Sequence, residues 1–180
     1  MLEVRYSVQR NAQKSREPAY HLHGINKRSN VCSLQSIAVE KPTEQSSTFQ
    51  LYNSSLAVDG NRSRDTDIDG NSCSHTGISD DEPWWRVDLN IYYIVTVRMV
   101  NRGMDRYGTD VSDRLRNVTI ATGETVSNIS TLCGFYTGPG SLGEEVTIDC
   151  APSTTGRFLQ ISLVTAGLTL CEVDVFGIPM

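Results

Sequence analysis

Few side chains in this sequence are of a kind that binds or reacts, and their spacing limits what they can do. After residue 23 there is one histidine, His75, so no His-Glu-x-x-His zinc motif can form. No Gly-x-Ser-x-Gly elbow and no phosphate-cradling glycine loop occurs. Nothing in the spacing of the 21 acidic residues singles out a catalytic pair. Catalysis is therefore not expected. Cys32, Cys73, Cys133, Cys150 and Cys171 contain no Cys-x-x-Cys pair, which removes the zinc-knuckle and thioredoxin-like readings. Asp65-Thr66-Asp67-Ile68-Asp69-Gly70 imitates half an EF-hand, but the twelfth position is Thr76 and no helices flank it. It reads as an acidic surface loop or a weak calcium site. What remains are directed hydrogen-bonding groups: His75, which alone would read as structural, and the arginines, whose guanidinium forks suit paired oxygens.

The elements that must hold these groups are strands. From about Val31 the chain shows short apolar alternations between Gly, Asn, Asp and Ser clusters. Strands are expected at Trp85 to Leu89, Ile94 to Val100, Val118 to Ala121, Val146 to Ile148, Phe158 to Leu163 and Glu172 to Phe176. Glu172-Val173-Asp174-Val175-Phe176 alternates strictly, so one of its faces should be buried. Trp84 and Trp85 point to opposite faces, placing at least one in the core, and Arg86 and Asp88 share a face as an ion pair. The fold class is all-β, an antiparallel β-sandwich or jelly roll.

Two domains of unequal character are expected: a polar N-terminal arm over residues 1–30 and a folded domain over residues 31–180. The arm lacks the apolar region of a signal peptide and reads as a linker or disordered segment. His21 and His23 within it read as solvated. A net charge of −5 argues against nucleic acid, which needs a basic face. No apolar run approaches a membrane span, so membrane insertion is not expected.

The cysteines suggest two disulfides and an odd thiol. Cys73 precedes the first strong strand and Cys171 the last, and a bridge between them would close about 100 residues, worth roughly 4–5 kcal/mol. Cys133 and Cys150 flank the Gly134 to Gly143 stretch, where a bridge would clamp a hairpin. Four cysteines allow three pairings, and Cys32 is left over. Sequons at Asn53, Asn117 and Asn128 fit a secreted protein.

Ser72-Cys73-Ser74-His75-Thr76 followed by Pro83-Trp84-Trp85-Arg86-Val87-Asp88-Leu89 resembles the F-type lectins, the fucolectin family. So do Val58-Asp59-Gly60-Asn61, Asn101-Arg102-Gly103 and Leu170-Cys171-Glu172-Val173-Asp174-Val175, in the family's order, from about Val31 to Gly177. The resemblance implies a discoidin-like jelly roll that binds terminal L-fucose, in recognition, adhesion or innate defence. It implies a sugar site of His75, then 26 residues, then Arg102, with Arg114, ahead of Arg116 or Arg106, as the second fork. The family's adjacent cysteine pair is absent, and its Arg-x-Asp becomes Arg102-Gly103-Met104-Asp105 in a lengthened loop; Asp105 joins the site and Met104 or Tyr107 supplies an apolar platform. It further implies a structural Ca²⁺ held by the Leu56 carbonyl, Asp59, Asn61, Ser72, the Cys171 carbonyl and Glu172. Asn61 also begins a sequon, which a metal ligand would leave unmodified. Weak single sites imply homo-oligomers or tandem copies. The alternative is a discoidin-type adhesion module that binds a protein or lipid and no sugar; the lengthened loop favours it.

Overall fold

Short strands joined by polar turns carry the fold, as the alternating sequence requires. The computed structural model describes residues 35–64, 72–105, 107–164 and 167–180, within a compact unit spanning Leu34–Met180. The N-terminal arm, Cys32, Arg106 and the Asp65 to Gly70 run lie outside the described residues. In chain order the strands are β1 (Thr43–Gln45), β2 (Ser74–His75), β3 (Trp84–Val100), β4 (Val118–Gly123) and β5 (Thr131–Tyr136). There follow β6 (Glu145–Asp149), β7 (Thr155–Ser162), β8 (Thr169–Leu170) and β9 (Glu172–Pro179). Every pairing among them is antiparallel.

The long strand β3 belongs to both layers of the sandwich. Its first part pairs with β1 and β7, and that layer continues through β4 to β5. Its last part pairs with β6 and β9. The two expected strands at Trp85 to Leu89 and Ile94 to Val100 are thus one strand turning a corner. Register shifts fall between Asp88 and Tyr92 and between Ile94 and Thr96. Asn90 sits at the bend with φ 64°, a left-handed conformation that Asn tolerates better than branched residues do.

Alternation decides what faces inward. Trp85, Val87 and Leu89 of β3, Ile120 of β4, Leu159 and Ile161 of β7, and Val173 and Val175 of β9 meet in one core. Burying each aliphatic side chain contributes about 1.5–3 kcal/mol. Trp85 also donates its indole N–H to the Ser54 carbonyl at 2.9 Å, which ties the 3-10 turn Ser54–Ala57 to the core. Trp84 is half-buried, with Arg86 over its ring at 4.6 Å.

Two expectations about side chains are corrected and a third is extended. Arg86 and Asp88 do not pair with each other: Arg86 bonds Glu44 across to β1, and Asp88 takes both nitrogens of Arg157 on β7 at 2.9 and 2.7 Å. Cross-strand neighbours lie closer than residues two apart on one strand. The expected buried face of β9 is present in Val173 and Val175, but Glu172 and Asp174 on the other face are buried too, with Arg62 and Arg98 both bonded to Asp174. Finally, Cys133–Cys150 does not clamp a hairpin. It joins β5 to the residue after β6, and these strands pair with β4 and β3 respectively, so the bridge ties one layer to the other.

Candidate functional site

The bridge Cys73–Cys171 organises the functional end. It lies at the root of the two-stranded ribbon in which Ser74 pairs with Leu170 and His75 with Thr169. The Cys171 N–H donates to the Val100 carbonyl at 3.0 Å, and Cys73, Val100 and Cys171 form a small buried cluster. Three distant stretches of chain therefore meet at one point. On one side stand His75, Thr169 and, two residues beyond Val100, Arg102. On the other stand Ser72 and Glu172.

On the first side, Arg102, Arg114 and Thr169 line a cleft with Asn101, Gly167, Val111, Leu115 and Leu163. His75 borders it, its Cε1 lying 3.6 Å from where a Cβ on Gly167 would sit. The lining thus combines cationic and polar groups with the apolar side chains of Val111, Leu115 and Leu163. His75 is buried against Phe49 and Tyr52, with ring centroids 5.2 and 6.2 Å away. Its Nδ1 bonds the Thr76 carbonyl; a carbonyl cannot donate, so Nδ1 carries the proton and Nε2 is left as an acceptor. Burial, aided by the charges of Arg102 and Arg114, pushes the imidazole below its ordinary value and keeps it neutral.

Buried Asn101 sets the two arginines relative to each other. Its side-chain amide donates to the carbonyls of Ser112 and Ser141, each at 2.9 Å, and its carbonyl oxygen accepts the Arg102 N–H at 2.9 Å. Ser112 opens the 3-10 turn Ser112–Arg114 that presents Arg114. Arg116 is held by Asp113, with bonds of 2.6 and 2.7 Å, and does not line the cleft. Asp105 accepts the N–H groups of Tyr107 and Thr109 at 2.9 and 2.8 Å, and the Thr109 bond foremost holds its carboxyl below the usual range. Met104 is exposed, and neither it nor Asp105 is among the residues lining the cleft. From this loop the cleft receives Val111, which the sequence reading passed over together with Thr169, Gly167 and Leu163.

The second side meets a test of fit for a hard cation. Ser72 Oγ and Glu172 Oε2 are both buried without a hydrogen-bond partner, an arrangement that an oxygen-ligated ion would satisfy. Glu172 is 1% exposed, and its carboxyl is pushed up to about 8 by desolvation first, then by Asp174 and Asp59. Asp59 and Asn61 project from the exposed loop after the Ser54–Ala57 turn that carries the Leu56 carbonyl. Their side chains accept the N–H groups of Asn61 and Ser63 at 2.8 and 3.0 Å, which fixes the loop.

Fold and site together define a discoidin-like β-sandwich with a cleft between its loops. The comparisons narrow the class. The NedA-like, galactose-binding domain family matches residues 56–161. Fucolectin-1 of Anguilla japonica is 39% identical over 124 residues, 67% of this chain, and the chain spans only 65% of that protein's length. A Streptococcus pneumoniae fucose binding module superposes with TM-score 0.67 at 28% identity, over 82% of this chain and 99% of that one. An F-lectin from Morone saxatilis serum superposes with TM-score 0.69 at 29% identity, over 79% of this chain and 48% of that one. The chain belongs to the fucolectins, within the NedA-like, galactose-binding domain family.

Proposed function

We propose that the chain is an extracellular, non-enzymatic lectin domain that binds terminal L-fucose on glycans and carries a structural calcium ion. The observation that supports it most is the meeting of His75, Arg102 and Arg114, separated in sequence, around one cleft that also holds apolar side chains. A sugar hydroxyl donates to His75 Nε2 while its oxygen accepts from a guanidinium. The second guanidinium takes the neighbouring hydroxyl, and the 6-deoxy methyl lies toward Val111, Leu115 and Leu163. The fucolectin relatives, the similar fucose binding module and the mixed polar and apolar lining of the cleft support this class of ligand. Calcium would be held by Glu172, Ser72, Asp59, Asn61 and the carbonyls of Leu56 and Cys171. It would supply charge neutralisation and loop cross-linking, no reactive step. With two carboxylates in the set, the affinity belongs to the weak, extracellular range. Two disulfides support secretion. Among the described residues no helix is long and apolar enough to cross a membrane. Oligomers or tandem copies would raise the avidity of a weak site.

Calorimetric titration of L-fucose into wild-type and Arg102→Ala protein, with calcium present, tests the reading. Each hydrogen bond from a charged donor contributes about 1.5–3 kcal/mol, tenfold or more in affinity. Saturable heat in the wild type and none in the variant is expected. No heat in the wild type up to millimolar sugar would move the assignment to an adhesion module.

A further inference from the structure

We propose that Arg64 is a positioning residue for Arg102, a strap that fixes the backbone on both sides of the sugar-gripping arginine. The proposal rests on the reading of Arg102 given above. Arg64 follows Asp59 and Asn61 in the same loop, and it is far from Arg102 in sequence. Its carbonyl oxygen accepts the Gly103 N–H at 2.6 Å, immediately after Arg102. A Cβ on Gly103 would lie 2.9 Å from that oxygen, so the approach needs glycine at 103. The Arg64 side chain then runs over Gly143, where a Cβ would come within 2.6 Å of Arg64 Cδ and 3.1 Å of Nη1. Gly143 is the residue whose N–H donates to the Arg102 carbonyl, at 2.9 Å. Beyond Gly143 the guanidinium reaches Glu145 Oε1 at 3.0 Å.

One residue thus touches the backbone at two points beside Arg102: the N–H of Gly103, which follows it, and Gly143, which caps its carbonyl. Asn101 holds the same stretch from the core side, through the Arg102 N–H. The buried amide fixes the inner face of the loop, and Arg64 fixes the outer face. The strap also explains how order in the Asp59 to Arg64 loop reaches the sugar cleft without any side chain common to the two sites. Arg64 and Glu145 are both exposed, with side chains 46% and 39% accessible, so the pair contributes little to global stability. Its effect should therefore appear at Arg102 and not in the melting temperature.

The test compares wild-type protein with Arg64→Ala and Arg64→Lys, by amide hydrogen exchange and by calorimetric titration with L-fucose. In Arg64→Ala the Arg64 carbonyl remains, so exchange is expected to rise at least about tenfold at Gly143, under the lost side chain, and less at Gly103, while core amides such as Val97 and Ile161 stay unchanged. Fucose affinity is expected to fall about tenfold at an unaltered melting temperature. Lysine, whose stem can lie over Gly143 and whose ammonium can reach Glu145, should restore most of both. Unchanged exchange at Gly103 and Gly143 overturns the proposal, whatever happens to fucose. Faster exchange with full fucose affinity also overturns it and leaves Arg64 a local brace. If wild-type protein gives no fucose heat but exchange responds as described, the sugar reading of Arg102 falls and the fixing of its backbone by Arg64 stands.

Discussion

His75 shows how little freedom a site residue retains once its neighbours are known. The Thr76 carbonyl assigns the proton to Nδ1, and burial beside two guanidiniums keeps the ring neutral. Sugar binding that uses Nε2 as an acceptor must then be flat through neutral pH. It should weaken only below the ordinary histidine value of 6.5, as the ring takes its second proton. Fucose affinities measured from pH 7.5 to pH 5 check this; a decline that begins above 6.5 would remove the acceptor role. The second arginine is equally specific. Arg114→Ala should lose at least about tenfold in affinity, one charged hydrogen bond or more, whereas Arg116→Ala should bind like wild type because Asp113 already holds that guanidinium. Equal losses in the two variants would mean that the wrong fork has been chosen. At this scale the sequence was informative where chemistry is rare: one histidine after residue 23, an arginine at a fixed interval that lines the same cleft, and Ser72 and Glu172 beside cysteines, whose oxygens the fold buries. Val111, Thr169 and Gly167 were not legible, because common residue types in separate loops acquire meaning only when the fold brings them to one wall.

The elements depend on the two bridges unequally. Cys73–Cys171 closes 98 residues and holds the ribbon that carries His75 and Thr169 on one side and Ser72 and Glu172 on the other. Cys133–Cys150 closes 17 and ties the two layers, with neither cysteine lining the cleft. Replacing the first pair by alanine should cost about 4–5 kcal/mol and the second about 3 kcal/mol, on chain entropy. Urea unfolding measures both. The functional difference should be larger than the stability difference. The Cys73→Ala/Cys171→Ala protein should lose fucose affinity even where it remains folded, and the Cys133→Ala/Cys150→Ala protein should keep it. Equal affinities in the two folded variants would separate the ribbon from the cleft. Most strands were readable from alternation, since Val, Ile and aromatics at every second position leave one buried face. β3 was read as two strands because Asn90 breaks the pattern at the corner, and β5 was missed because Gly134 and exposed Leu132 and Phe135 blur its inward face. Two-residue strands such as β2 and β8 carry no periodicity at all. They exist because the disulfide and the Val100 carbonyl place them.

At the scale of the whole molecule, the buried carboxylate of Glu172 connects ion, pH and stability. Burial with Asp174 and Asp59 nearby lifts it from 4.5 to about 8 in the metal-free fold. The folded state then holds a proton that the unfolded chain releases near 4.5. Metal-free protein is therefore most stable, with respect to this group, below that value, and it loses stability as pH rises from about 4.5 through 8. The loss is on the order of a few kcal/mol, since one pKa unit corresponds to about 1.4 kcal/mol. A calcium ion at the proposed site would supply the counter-charge that the ionised carboxylate lacks, and would add binding free energy of about 2.7 kcal/mol at a hundredfold excess over its dissociation constant. Melting temperatures of metal-free and calcium-loaded protein should accordingly diverge with pH, lying close near pH 5 and several degrees apart near pH 8. Glu172→Gln should abolish the divergence from both directions: it removes the titrating group, and it weakens the ion's ligand set. The comparison with that variant isolates Glu172 from all other titrating groups. If metal-free wild type is as stable at pH 8 as at pH 5, relative to Glu172→Gln, the carboxylate is not held protonated. If calcium leaves the melting temperature unmoved at pH 8, the buried oxygens of Ser72 and Glu172 are satisfied by something other than an ion. Either result would also loosen the link between the two ends of the ribbon, because Cys73 and Cys171 would then brace the cleft without an ion behind them.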